Sequence, residues 1–248
     1  MLALRSLLFQ FLFYFLTFVI CITAAPCMFL ARKFATKVET FWARTMLWLL
    51  KTTVGLDFEV RGREHLSKGP MILASKHQSA WDTISFPVVL NDPVYVLKRE
   101  LLHIPIYGWY LYKLGMIAVD RDAGVSSMRN LIRKARRVLD EGRRHIVIFP
   151  EGSRVAPGER DHYQPGVAGL YSKLGIPVVP VALNSGLFWR RRKLLKYPGT
   201  ITLEFLPAIA PGMAREAFMA ELEGRIETAS DRLIAEARTR FELPGEGS

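Results

Sequence analysis

The chain has 248 residues, half of them hydrophobic, with 34 basic side chains against 23 acidic and a formal charge of +11. This length buries a sizeable core as one domain with an appendage, and its two cysteines, Cys21 and Cys27, exclude a disulfide framework and zinc-ligand spacing. The basic excess would suit nucleic acid. Here it is interleaved with large apolar residues, most clearly from Leu187 to Tyr197 around Arg190-Arg191-Arg192-Lys193, so anionic lipid is the better partner and nucleic acid is not expected.

The apolar excess sits at the start. From Ser6 to Ala31 no residue is charged. Leu7 to Ala25 would form a helix of about 28 Å at ~1.5 Å per residue, close to the ~30 Å hydrocarbon thickness of a bilayer. The run is longer than the core of a cleaved signal peptide, and Thr23-Ala24-Ala25 is a weak cleavage match. A spanning helix and a helix that dips into one leaflet both stay open. The next stretch, Phe34 to Val54, mixes Phe41, Trp42 and Trp48 with Lys37, Arg44 and Lys51. That mixture suits a helix lying at the membrane interface; an amphipathic core helix is the other reading. Basic residues follow the apolar segment (Arg32, Lys33, Lys37, Arg44), whereas only Arg5 and the amino terminus precede it. The bias leaves the globular part on the cytoplasmic side.

Residues 1–54 are therefore expected to anchor the protein, residues 55–240 to form an α/β domain, and 241–248 to be a disordered tail. Within the domain, strand-like runs fall at Leu56–Arg61, Pro70–Ser75, Val94–Leu97, Met116–Val119, His145–Phe149, Pro177–Leu183 and Thr200–Leu206. Helix-like stretches are Ala80–Leu90, Glu100–Leu114, Ser126–Glu141, Gly166–Leu174 and Met213–Arg240. Continuous apolar runs such as Ile146-Val147-Ile148-Phe149 predict a sheet covered by helices on both faces. In such folds, functional groups gather beyond the carboxyl ends of the strands. Four of those places are unusually polar: Lys76–Asp82, Lys98–Glu100, Asp120–Asp122 and Pro150–Arg154.

His77 and Asp82 lie five positions apart where a buried strand hands over to a helix. If the chain turns helical near Ser79, the Asp82 carboxylate folds back toward the imidazole and fixes its tautomer, leaving the other ring nitrogen to accept a proton. Ser79 lacks the glycines of a nucleophile elbow and reads better as a helix N-cap; Trp81 reads as packing. In Phe149-Pro150-Glu151-Gly152-Ser153-Arg154, the glycine permits close approach of a ligand. Arg154 could clamp a phosphate, Glu151 could bind an acceptor hydroxyl, and backbone N–H groups around Gly152 and Ser153 are candidates for an oxyanion site. A turn closed by a Glu–Arg ion pair is the plainer alternative. Arg121 stands between Asp120 and Asp122, which could simply pair with it.

Four blocks stand in a fixed order: His77 to Asp82, Gly115 to Arg121, Phe149 to Arg154, and Val179 to Gly186. In that order they resemble the motif blocks of the glycerolipid acyltransferases, and the chain is similar to the 1-acyl-glycerol-3-phosphate acyltransferases, of bacterial type by its size. The resemblance runs from about Gly69 to Gly186. It implies a mixed, largely parallel α/β sheet, His77 as base, Asp82 as its support, and Arg121, Glu151, Gly152, Ser153 and Arg154 at the acceptor. Lys98 is a further phosphate candidate by the same likeness. Lys76 replaces the commoner asparagine before His77, and Ser153 stands where threonine is usual. The implied reaction moves an acyl group from coenzyme A or acyl carrier protein to the hydroxyl of a lysophospholipid. No cofactor and no metal are expected, and the implied place is the cytoplasmic face of a bacterial inner membrane. Lysophosphatidate is the first acceptor; a lyso-ornithine lipid, a remodelling lysophospholipid and a lipid esterase activity are the alternatives.

Overall fold

A computed structural model describes residues 1–120, 124–142 and 145–243. Two long helices come first. α1 (Leu2–Thr23) carries the apolar run, and α2 (Arg32–Val54) returns against it. The α/β domain follows as β1 (Leu56–Arg61), β2 (Met71–Ser75), α3 (Trp81–Val89), β3 (Val94–Lys98), α4 (Tyr107–Lys113), β4 (Ile117–Val119), α5 (Gly124–Asp140) and β5 (His145–Ile148). It continues with α6 (Gly166–Leu174), β6 (Val178–Leu183), the short α7 (Ser185–Phe188), β7 (Gly199–Phe205) and the closing α8 (Arg215–Arg240).

The seven strands form one sheet in the order β1-β7-β6-β2-β5-β3-β4. Every pairing is parallel except β6 with β7. This is the mixed, largely parallel sheet that the resemblance implied, and its helix-covered faces are what the apolar strands predicted. β2 and β6 are buried at every position, because helices cover both faces. β2 leads through α3 rightward to β3, and β5 leads through α6 back to β6. Right-handed crossovers then place α3 and α6 on opposite faces. Packing agrees: α3 rests on α2, whereas α6 rests on α5 and α8. The neighbouring strands β2 and β5 thus send their chains to opposite sides, opening a crevice at their carboxyl ends.

One helical expectation fails. The stretch 100–114 is not one helix but a 3₁₀ turn, Arg99–His103, and then α4. Pro105 is the cause: it disfavours a helical residue before it, and Ile104 is extended (φ −70°, ψ 119°). The short α7 had no sequence signal. Of the expected tail, residues 244–248 lie outside the described residues.

α1 is tied to the rest at both ends. Near its start Arg5 donates to the Thr53 carbonyl (2.6 Å), and Ser6 Oγ accepts the Lys196 N–H (3.0 Å). Near its end the Cys21 carbonyl accepts the Tyr110 hydroxyl (2.9 Å). Between them Phe9 meets Trp189 edge to face, and the Trp42 indole donates to Thr17 (3.0 Å). Its outer face, with Leu4, Leu7, Phe11, Phe15 and Phe18, stays exposed. α2 buries Met46, Leu49, Leu50 and Val54, and exposes Phe34, Lys37, Phe41, Arg44 and Trp48. It is thus a core helix on one side and a basic, aromatic helix on the other.

Candidate active site

Ser75 ends β2, and the chain leaves the sheet as an extended loop that enters α3 at Trp81. Asp82 sits in the first helical turn with no solvent exposure. Its Oδ2 accepts the backbone N–H groups of Gln78 (2.7 Å) and Ser79 (2.8 Å), and lies 2.8 Å from His77 Nδ1. Its Oδ1 accepts the Ser185 hydroxyl at 2.5 Å. Four partners therefore hold one carboxylate, which leaves it a single orientation. With Nδ1 facing a carboxylate, the ring carries its proton there and presents Nε2 outward as an acceptor. The His77 side chain keeps 12% exposure, so the ring is not sealed from a substrate. Phe149 stacks on the imidazole with centroids 4.0 Å apart, and Tyr95 stacks in turn on Phe149.

Ser79 does its work inside the loop. It is fully buried, and its Oγ accepts the Trp81 N–H at 3.2 Å. Ala80 occupies the N-cap position itself, so Ser79 caps from one residue earlier. Trp81 is buried against Phe58, as packing requires.

The turn after β5 stands on the other side of the crevice. Gly152 takes a positive φ of 70°, and its N–H closes the turn on the Phe149 carbonyl at 2.9 Å. That N–H serves the turn rather than an oxyanion. Glu151 departs from expectation more clearly. It is 2% exposed, with Oε1 on Lys76 Nζ (2.6 Å) and Oε2 accepting the His77 N–H (3.0 Å). The carboxylate faces the His77 loop, not an open acceptor space. Since Glu151 pairs with Lys76, Arg154 is not consumed by its neighbour and the simple Glu–Arg turn is excluded. Ser153 and Arg154 are half-buried beside the crevice, and Arg191 donates to the Arg154 carbonyl at 2.9 Å. The basic stretch after α7 thus reaches the site.

Lys98 ends β3, two strands from β2 across the sheet, or about 10 Å at ~4.8 Å per strand. It is exposed on the edge where His77 and Arg154 lie. Its neighbour Arg99 takes Asp120 as partner at 3.3 Å. Arg121 lies outside the described residues.

Sequence reasoning missed Ser185. It opens α7 beyond β6, and Asn184 pins that loop by accepting the Thr202 N–H (2.9 Å) and donating to the Leu233 carbonyl (3.1 Å). Gly186 donates its N–H to Gln78 Oε1 at 3.0 Å, and a Cβ there would sit 2.8 Å from Pro157 Cγ and 2.9 Å from Gln78 Cβ. Only glycine permits that approach. The block Val179 to Gly186 was visible as a unit, and this contact gives it a function.

An imidazole held by a fully buried carboxylate at the crevice of a mixed α/β sheet suits an enzyme of the acyltransferase class. The Acyltransferase family model matches residues 57–184. The chain is 37% identical to the 1-acyl-sn-glycerol-3-phosphate acyltransferase of Pseudomonas aeruginosa over 79% of its own length and 76% of that protein. It is 31% identical to the human 1-acyl-sn-glycerol-3-phosphate acyltransferase beta over 62% of its own length and 56% of that protein. The crystal structure of the 1-acyl-sn-glycerophosphate acyltransferase PlsC from Thermotoga maritima superposes with a TM-score of 0.77, covering 95% of this chain and 98% of that one at 23% identity. The chain belongs to the acyltransferase family that contains these proteins.

Proposed function

We propose that the protein transfers a fatty acyl group from a soluble thioester, on coenzyme A or acyl carrier protein, to the free hydroxyl of 1-acyl-glycerol-3-phosphate, giving phosphatidate. The observation that carries the reading is the 2.8 Å contact of His77 Nδ1 with an Asp82 carboxylate held by three further donors. His77 Nε2 takes the hydroxyl proton as the oxygen attacks the thioester carbonyl. Asp82 stabilises the imidazolium, and the collapsing tetrahedral intermediate expels the thiolate, which takes that proton from His77. The C–O bond forms, the C–S bond breaks, and no acyl-enzyme is needed. Ser79 cannot act as an esterase nucleophile in this arrangement, because its oxygen is buried and bonded to Trp81.

The acceptor's phosphate meets Arg154, Arg121 and Lys98, with Ser153 and Gly152 lining the turn. Glu151 supports His77 from behind. The relatives' names support lysophosphatidate as acceptor. The lipid acceptor reaches the site from the bilayer, because each buried CH₂ holds an acyl chain there by about 0.8 kcal/mol. α1 lies in one leaflet, since both of its ends are tied to the domain. Its outer apolar face meets acyl chains, and the basic and aromatic side chains of α2 meet anionic headgroups. The donor arrives from the cytoplasm, with the domain on the cytoplasmic face of the inner membrane.

The test is one labelled acyl-CoA offered to the protein in vesicles with a panel of acceptors: lysophosphatidate, lysophosphatidylcholine, a lyso-ornithine lipid and monoacylglycerol. Lysophosphatidate is expected to turn over fastest. Faster turnover of a phosphate-free acceptor would reject the assignment.

A further inference from the structure

Behind the crevice lies a buried charge cluster that takes no part in the proton path. Lys76 is 1% exposed, and its ammonium has all three of its protons engaged. It donates to Glu151 Oε1 (2.6 Å), to Glu227 on α8 (2.9 Å) and to the Glu159 carbonyl (3.3 Å). Glu227 is 4% exposed and also accepts the Tyr163 hydroxyl at 2.9 Å. The second oxygen of Glu151 holds the His77 N–H. One cation thus joins two carboxylates: both Glu227 oxygens lie 2.9 Å from it, Oε1 also accepting the Tyr163 phenol, and the second oxygen of Glu151 meets a peptide N–H.

Such a cluster gains little stability over apolar side chains of the same volume, so burial does not explain its presence. What it does fix is position. The His77 N–H is held only while Glu151 is held, and Glu151 is held by Lys76. Glu227 lies beyond residues 57–184, the part matched to the family, so α8 supplies the second anchor from outside that region.

We infer that Lys76, anchored by Glu227 and Tyr163, is a positioning residue for His77, acting through Glu151 on the backbone that carries the imidazole. This rests on His77 being the base. In Lys76→Met, two buried carboxylates lose their shared cation; one turns away or takes a proton, and the His77 loop loses its register. In Lys76→Met/Glu227→Gln, the charge of Glu227 that repels Glu151 is gone, so Glu151 is no longer driven from the His77 N–H.

The experiment compares steady-state kinetics of the membrane-bound full chain. Lys76→Met should lower kcat about 30-fold with both Michaelis constants within about threefold, and the double variant should recover to within about fivefold of the parent. A folded Lys76→Met with unchanged kcat, a loss confined to KM, or a double variant as slow as the single one would overturn the inference. Should Lys76→Met not fold, Glu227→Leu, which keeps the lysine and removes its anchor, is expected to lose kcat in the same way; parental kcat there overturns it. His77→Ala belongs in the same series. Turnover retained in that variant rejects the acid–base reading itself, whereas its loss beside a normal Lys76→Met rejects only the positioning role.

Discussion

The Ser185 hydroxyl donates to Oδ1 of Asp82 at 2.5 Å, across 103 residues of chain. Oδ2 of the same carboxylate serves the His77 loop, so the two oxygens tie the loop after β2 to the loop after β6. The carboxylate that holds the His77 imidazole is also the joint between these two loops.

Ser185→Ala should therefore slow the reaction without unfolding the protein. Removing one of four hydrogen bonds to a buried carboxylate costs about 1–3 kcal/mol, and kcat is expected to fall about tenfold with little change in either Michaelis constant. Steady-state kinetics with the thermal midpoint alongside would check it. An effect on KM alone would assign Ser185 to substrate instead.

Asp82→Asn keeps the shape and loses the function. Oδ2 faces three donors, so an amide there either turns its NH₂ toward them or its oxygen away from Ser185. The ring loses its tautomer and its counter-charge, and a fall of at least about 10³-fold in kcat is expected, as for triad aspartates elsewhere. A variant within about tenfold of the parent would mean that Asp82 only shapes the loop.

pH should act on activity and stability in opposite directions through Glu151. Burial pushes its carboxyl up to about 7 and Glu227 adds to the rise, against Lys76 and the His77 N–H, which pull it down. A folded value above the ordinary 4.5 means that the unfolded chain releases this proton first. Glu151 therefore contributes stability that is full below pH ~4.5 and is lost as pH climbs to ~7, on the order of 3 kcal/mol. The ionised form, which grips Lys76 and the His77 N–H, forms over the same climb, so kcat should rise toward neutral pH. Glu151→Gln should flatten that part of the stability curve; an unaltered curve would remove Glu151 as its source.

Arg154→Ala should weaken the phosphate-bearing acceptor. The expected result is a rise of about tenfold in the acceptor's KM with the donor's unchanged, the loss of one charge-assisted contact. Arg121→Ala is expected to behave alike, and Lys98→Ala more weakly because it stands two strands away. Equal effects on both Michaelis constants would count against phosphate recognition.

Replacing Phe11, Phe15 and Phe18 on α1 with serine should release the protein from vesicles while turnover of a short-chain, water-soluble acceptor persists. Each ring moved out of hydrocarbon forfeits about 1.5–3 kcal/mol, and all three lie on the exposed face. Continued sedimentation with vesicles would place the anchoring elsewhere.

Much of this was legible along the chain because the signals are local. Every strand was marked to within a residue or so, the central ones by apolar runs with short polar breaks, since a strand buried on both faces has no room for charge. The His77–Asp82 pair was legible too, because five positions around a helix start bring those groups together whatever the rest does. The helix after β3 was overcalled where Pro105 interrupts it, although the proline was there to be read.

What the chain order by itself could not decide was who meets whom across the sheet. Glu151 looked like a ligand for substrate because it stands beside a glycine that permits close approach; the parallel pairing of β2 with β5 gives it Lys76 instead. Glu227 stands in no motif, and the block that holds Ser185 does not by itself name a partner; only the return of α8 and the register of β6 bring them near. Local spacing fixes contacts made within a turn of helix. Contacts between chain segments 75, 103 or 151 residues apart depend on strand order and crossover hand, which only the folded sheet supplies.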